Sequence, residues 1–596
     1  MLTGVGGRTR LRSVRVARGA HVTRRKRGPW PRRLAWAAGL AVALAALFAL
    51  SLSQSLTSAI SSDGASNILQ AQAMLHGNPL LRGWWTSDVS FYTTELPEYM
   101  LVVAARGLSP DVVHICGALT YTLTVALAAL LARGRVTGAA GLRRAAIAVA
   151  IMLAPSILGG TEVFLENPDH FGTSAPVLLA LLLLDWGEGR DEVLAPRWYV
   201  PVAVCLLLAW TQVGDELSLV AATAPVAAVC ALRFAIGLVR RHRWIELRWD
   251  GLLLAAALLS VAVAAIAEQS LRSVGGFDQR PVPGARIASL GQLPANARVL
   301  YQSILLLFGA NNPGAPNAPL TISQHVPLVF STSFHVIGVL AAAAGLAAGI
   351  AAGFFGRPGR PRRDWADRDR VNQILVVAIV VSIAAGEFST VLRSLTSAHE
   401  VAVLLPLGAV LAARTLPPLA RSVAERLAGR LAGRFGRVRG AAVVTAATVA
   451  VAGWVAVGVA EAAYAATWQP SPVPVQKVTA WLVAHHQRDG LAAYWQGTQT
   501  TVTSGGRVLV APVTVAGNAA KHWEASSAWY QPSRHRATFV IAEPHPTQAE
   551  NSLTVASVRA RFGRPAAEYR VGGDVVLVYR YNLLTRLHNR AFPGPS

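Results

Sequence analysis

Long apolar runs alternate with polar stretches along most of this chain, and that alternation predicts its elements. Eleven runs stand out: 34–56, 111–132, 143–159, 172–187, 198–213, 216–238, 250–268, 328–355, 371–388, 400–417 and 441–461. A helix needs roughly 17–25 apolar residues to cross a bilayer, so several runs sit at the short limit. The expected fold is mainly α: a polytopic membrane helical bundle of about eleven helices over 34–464. Two of its polar stretches are long, 57–110 and 268–327. Within the second, ANARVLYQSILLLFG (295–309) keeps a helical apolar spacing and predicts an interfacial or re-entrant helix.

After residue 464 the pattern changes. RVLVAPVTV (507–515), ATFVIAE (537–543) and DVVLVYRY (574–581) read as strands. VPVQKVTAWLVAHHQ (473–487) and LTVASVRARFG (553–563) read as helices, the second stopped by Gly563. Strands interleaved with helices predict a small α/β domain over 465–596.

Composition agrees. The 596 residues are 53% hydrophobic and 14% charged, where a soluble domain carries roughly 25% charged residues. A net charge of +24 would point to nucleic acid in a soluble protein. Here the arginines fall in alternate loops: 133–144, 190–197, 240–248, 357–370 and 420–439. That is the positive-inside pattern, so no nucleic-acid partner is implied, and the charge reports topology. It places the N-terminus inside and the C-terminal domain outside the plasma membrane. Residues 1–33, ending RRKRGPWPRR, read as a disordered basic cytoplasmic tail beside membrane lipids. Lysine occurs only at 26, 477 and 521, and the arginine and alanine bias fits a high-GC bacterial genome. Cys116, Cys205 and Cys230 all lie in apolar runs, which offers no disulfide framework or zinc site. The chain has no P-loop, no nucleophile elbow and no HExxH zinc motif.

Candidate chemistry concentrates in the loops expected outside. The first, from Ser62 to Tyr99, holds Asp63, Asp88, Glu95 and Glu98 among Trp84, Trp85, Phe91 and Tyr92. Aromatic faces with carboxylates suit a sugar or a lipid-phosphate head group. Asp63 falls in the first turn of an expected helix. It either caps that helix or serves as a general base at the membrane face. Glu95 and Glu98 in TTELPEYM share a helix face and either cap and solvate it or support Asp63. In TEVFLENPDHFGTS (161–174), Asp169 and His170 crowd an Asn-Pro turn. They can contact substrate, bind a divalent metal, or simply form a polar Asn-Pro turn; their spacing matches no metal-ligand motif, so a metal is not supported and no cofactor is expected. In EFSTVLRSLTSAHE (387–400), Arg393 is a lone outer arginine. It can pair with a neighbouring Glu or bind a phosphate bidentately.

This layout resembles the GT-C superfamily of integral membrane glycosyltransferases, which includes protein mannosyltransferases and aminoarabinose transferases. The resemblance rests on a large loop after the first span, an acid opening an amphipathic helix there (SDGASNILQAQAMLHGN), and FYTTELPEY leading into the second span. It implies Asp63 as the catalytic acid–base residue, with a polyprenyl-phosphate-linked sugar as donor. It also implies a glycan, lipid or protein acceptor, and Arg393 as a phosphate contact. Trp84, Tyr92, Glu95, Glu98, Asp169 and His170 are the expected substrate contacts. The family commonly has a second acid after the first, where this chain has Gly64. Two other readings stay open: a non-catalytic carrier or export component for lipid-linked glycans, and a structural cell-envelope protein.

Overall fold

In the computed structural model, every one of the eleven apolar runs contains a helix, because a buried backbone satisfies its N–H and C=O groups within its own segment. The structure describes residues 29–154, 159–187, 198–240, 244–279, 286–311, 322–355, 369–430, 436–544, 552–588 and 590. Most of the basic tail expected at 1–33 therefore lies outside the described residues. The chain divides into two compact units, Met1–Ala46 and Leu47–Ser596. Everything below concerns the second.

Eight helices among the described residues are long and apolar enough to cross a membrane, and a bent pair, Leu395–Val401 with Leu404–Ser422, makes a ninth. The two remaining expected spans are the short helices Gly138–Met152 and Tyr199–Gly214, of 15 and 16 residues. The helix expected within 295–309 is present as Leu293–Leu307.

Buried charge ties the bundle together. The Arg414 guanidinium donates to Asp185 and Asp369 at 2.8 and 2.9 Å, to Asn372, and to the Leu131 carbonyl. Arg233 and Arg370 share Asp250, at 3.2 and 2.9 Å. Arginine suits these places because its fork satisfies several acceptors at once.

The C-terminal part folds around a five-stranded sheet. Its strands are β2 (Asp489–Ala492), β3 (Leu509–Pro512), β5 (Ala537–Ala542), β6 (Ala567–Val571) and β7 (Asp574–Val578), in the order β3-β2-β5-β7-β6. β2 runs parallel to β3 and β5, and β7 runs antiparallel to β5 and β6. The three strands read from the sequence are present. β2, β6 and the helix Tyr494–Thr503 were not legible, since GLAAYWQGTQT has neither a clear period of two nor an apolar helix face. Both expected helices are present, as Gln476–Ala484 and Val555–Phe562, the latter ending at Gly563 with φ 79°.

This part is stitched to the first loop. Two short strands, β1 (Trp84–Trp85) in that loop and β4 (Ala525–Ser526), pair antiparallel. The helix Tyr494–Thr503 also lies against the loop helix Ser62–Leu75. Ser62 Oγ donates to the Trp495 carbonyl at 3.0 Å, and Gln499 Nε2 donates to the Ile60 carbonyl at 3.1 Å.

Candidate active site

The loop helix starts at Ser62, and its cap is Ser61, whose hydroxyl accepts from the Gly64 N–H at 3.0 Å. Capping is thus done by Ser61, which leaves the Asp63 carboxylate available for other contacts. Asp63 Oδ1 accepts from the Tyr494 hydroxyl at 2.6 Å. Burial pushes Asp63 above the usual carboxylate range, and the nearby charge of Asp169 adds to this. A carboxylate raised in this way is a stronger base. Gly64 is fixed by packing: a Cβ there would stand 2.8 Å from Val113 Cγ1. A second acid directly after Asp63 has no room.

Asp169 gathers the acids of the site. It lies within electrostatic reach of Asp63, Asp88, Glu95, Glu166 and Glu524, which come from the first loop, its own turn and the C-terminal domain. Its backbone has φ 35°, in the left-handed region, where Asp is more tolerant than most residues.

His170 is buried beside it. Its Nδ1 faces Asp215 Oδ2 at 3.1 Å, and its Nε2 faces Glu400 Oε2 at 3.7 Å. Asp215 is itself held by the Thr173 hydroxyl at 2.5 Å and the Leu217 N–H at 2.8 Å. The His399 ring stacks on His170 with centroids 5.3 Å apart. His170, His399 and Glu400 each present a donor atom within 4.8 Å of the others. A carboxylate on the far ring nitrogen is the support that a metal-bound histidine ordinarily has. This set can therefore hold a divalent cation, which the 161–174 segment alone did not reveal. Beside these groups is a cavity of about 170 Å³, lined on its other walls by Ser382, Gly386 and Leu392.

Glu95 is 1% exposed, bonded to the Thr94 hydroxyl, and within electrostatic reach of Asp169, His170 and Asp215. Burial holds it well above the usual range. Glu98 accepts from Thr120 Oγ1 at 2.6 Å, and burial pushes it up to about 7. Asp88, raised by burial to about 6, faces His170 and Glu400.

The aromatic residues have other tasks. Trp84 is 3% exposed, with its ring edge-on to Trp529 at 5.1 Å between centroids. It is occupied in joining the first loop to the C-terminal part of the same unit. The Tyr92 hydroxyl donates to the Pro79 carbonyl at 2.8 Å, and its ring lines an apolar groove of about 680 Å³ with Trp210, Ala264 and Leu271. Arg393 is exposed, and its Nε donates to the Thr390 carbonyl at 3.1 Å.

The structure therefore brings Asp63, Glu95, Asp169 and His170 together, while Trp84 and Tyr92 pack elsewhere. Around them it places Asp88, also of the first loop, together with Asp215, His399, Glu400, Tyr494 and Glu524. In the sequence Asp215 reads as half of an acidic pair with Glu216 near membrane depth, and Glu400 as an ion-pair candidate for Arg393; their convergence on His170 was not readable. Tyr494 and Glu524 gave no signal there, because their relation to Asp63 exists only across more than 400 residues.

No family model matches this chain, and no curated protein matches it. Among solved structures it is similar to ArnT from Cupriavidus metallidurans bound to undecaprenyl phosphate, at TM-score 0.48 and 13% identity over 93% of this chain and 99% of that one. The same protein in the apo state gives 0.46 and 14% over the same shares. The Archaeoglobus fulgidus oligosaccharyltransferase tethered with an acceptor peptide gives 0.43 and 13%, over 84% of this chain and 69% of that one. These likenesses carry no weight for the chemistry, which rests on the residues of the site.

Proposed function

We propose that this chain is a membrane glycosyltransferase that moves a sugar from a polyprenyl-phosphate donor to an acceptor hydroxyl at the outer face of the plasma membrane. One observation carries the reading. Asp63, relieved of capping by Ser61, stands in a half-buried acidic site shared with Asp169 and completed from three other stretches of the chain. A general base has to be raised in basicity, held in place and within reach of a substrate proton, and Asp63 meets the first two by its burial and its bond to Tyr494.

In this reading Asp63 takes the acceptor proton as the acceptor oxygen bonds to the anomeric carbon. The anomeric C–O bond to phosphate breaks, and its electron pair leaves on the phosphate. Arg393, exposed on the loop that also carries His399 and Glu400, offers a guanidinium to that phosphate. Positive charge aimed at a developing phosphate favours the transition state over the ground state.

The test uses purified full-length protein in lipid vesicles. A panel of polyprenyl-phosphate sugars, radiolabelled in the sugar, is offered with alkyl glycoside acceptors. Wild type transfers label from at least one donor, and Asp63→Asn loses at least about 100-fold in rate, as loss of a general base does. Transfer at the wild-type rate by Asp63→Asn refutes the assignment. Donor binding by wild type with no sugar release from any donor points to a carrier instead.

A further inference from the structure

The Tyr494 hydroxyl sits between two carboxyl groups. Asp63 Oδ1 is 2.6 Å away, and Glu524 Oε2 is in direct contact on the other side. Tyr494 opens the helix Tyr494–Thr503, and Glu524 directly precedes β4. Both belong to the C-terminal domain, whereas Asp63 belongs to the first loop.

The number of protons follows from counting. A phenol has one O–H and donates one hydrogen bond, but here it touches two carboxyl oxygens. If both carboxyls were ionised, one contact would set two acceptors against each other with no proton between them, in a buried place where that is costly. The set closes when one carboxyl keeps its proton and donates it to Tyr494 Oη, while Tyr494 donates to the other.

The two carboxyls are not equivalent. Glu524 is 2% exposed and Asp63 is only half-buried. Burial, followed by the charge of Asp63, holds Glu524 well above the usual carboxylate range. The remaining charged groups in electrostatic reach are Asp169 for both carboxyls, and Glu166 and His399 for Asp63. Of these only His399 can favour an ionised neighbour, and it acts on Asp63. The Glu524 backbone is held at φ 44°, a left-handed conformation that costs a non-glycine residue and collects at functional sites. Ser66, three positions along the helix from Asp63, directs its hydroxyl to the Glu524 carbonyl at 3.3 Å. The same helix therefore holds both ends of the arrangement.

We propose that Asp63, Tyr494 and Glu524 form a proton-sharing triad in which Glu524 keeps the resting proton, so that Asp63 remains the ionised partner. This rests on the reading of Asp63 as the base. Tyr494 and Glu524 are positioning residues that act through Asp63. The acceptor proton arrives on Asp63 and leaves from it, and Glu524 is protonated before and after transfer.

Two measurements test this. The first needs no substrate. Infrared difference spectra of the purified full chain at neutral pH, with ¹³C-labelled glutamate, compare wild type with Glu524→Gln and Asp63→Asn. Glu524→Gln loses one protonated-carboxyl carbonyl band that carries the label, and Asp63→Asn keeps it. If Glu524→Gln matches wild type in that region, or if the band disappears in Asp63→Asn, the triad is overturned.

The second uses the donor panel described above. Glu524→Ala and Tyr494→Phe each lower kcat by about tenfold or more with little change in KM. Tyr494→Phe also moves the acid limb of the pH profile upward, because Asp63 loses a donor to its ionised form. Glu524→Gln, whose amide still donates to Tyr494, recovers most of the rate lost in Glu524→Ala. If Glu524→Gln is as damaged as Glu524→Ala, the triad is refuted. An active Asp63→Asn refutes the base reading alone, since the infrared result still reports where the proton is.

Discussion

The carboxylate of Glu95 lies directly against the α-carbon of Gly172, where a methyl group would overlap it. This contact seats the first loop on the turn that carries Asp169 and His170. Glycine is needed at 172 for space, since its backbone is an ordinary 3-10 turn. Gly172→Ala should therefore destabilise the protein by roughly 1–3 kcal/mol, as overpacking does. Glu95→Ala in the same chain should recover part of that loss. Thermal unfolding of the two single variants and the double variant in detergent measures the coupling.

Trp84 should behave as a structural anchor. Its ring is buried against Trp529 and its backbone pairs with Ser526. Trp84→Ala should cost roughly 3–5 kcal/mol. Limited proteolysis should then release the C-terminal domain faster, while affinity for the lipid donor changes little in the protein that remains folded.

Glu98 supplies a pH dependence whose sign can be worked out. Burial raises it from its ordinary value to about 7, so between roughly pH 4.5 and 7 the folded state binds more protons than the unfolded state. Stability due to this group is present below that window and is lost as pH rises through it. Glu98→Gln keeps the neutral form and should flatten the dependence. The variant should gain roughly 1–3 kcal/mol over wild type at pH 8 and almost nothing at pH 4. Unfolding midpoints at the two pH values decide it.

Arg414 holds two carboxylates, an amide oxygen and a main-chain carbonyl, and is 5% exposed. Arg414→Ala strands Asp185 and Asp369 and should cost roughly 3–5 kcal/mol. Arg414→Met with Asp185→Leu, which removes the more deeply buried of the two ion pairs and leaves only the part-exposed Asp369 unpaired, should recover part of that in a thermal assay.

The membrane helices were readable because their signal is local: an apolar run bounded by arginines specifies a span without reference to the rest of the chain. Asp63 and the Asp169–His170 pair could be singled out because acids are rare here and these lie in polar stretches between apolar runs. What Asp63 does with its neighbours was not readable. The sequence allows Asp63 as the helix cap, and only the geometry gives that task to Ser61. Trp84 and Tyr92 read as substrate contacts from composition alone, and the packing of Trp84 on Trp529 and of Tyr92 along an apolar groove exists only in the fold. Tyr494 and Glu524 lie in turns and a polar helix whose place is set by strand pairing between distant segments, which leaves no local periodicity to read.

The pairing of β1 with β4 has a consequence for how the protein is made. Asp63 and Tyr494 are 431 positions apart. At roughly 5–20 residues per second of synthesis, the first loop spends tens of seconds without the segments that complete its site. Through that interval the helices insert and pack around an unfinished pocket, and a chain interrupted before Tyr494 would carry Asp63 without the hydroxyl that holds it. Competence would then arrive in one late event, when the last fifth or so of the nascent chain docks onto a loop made near its beginning.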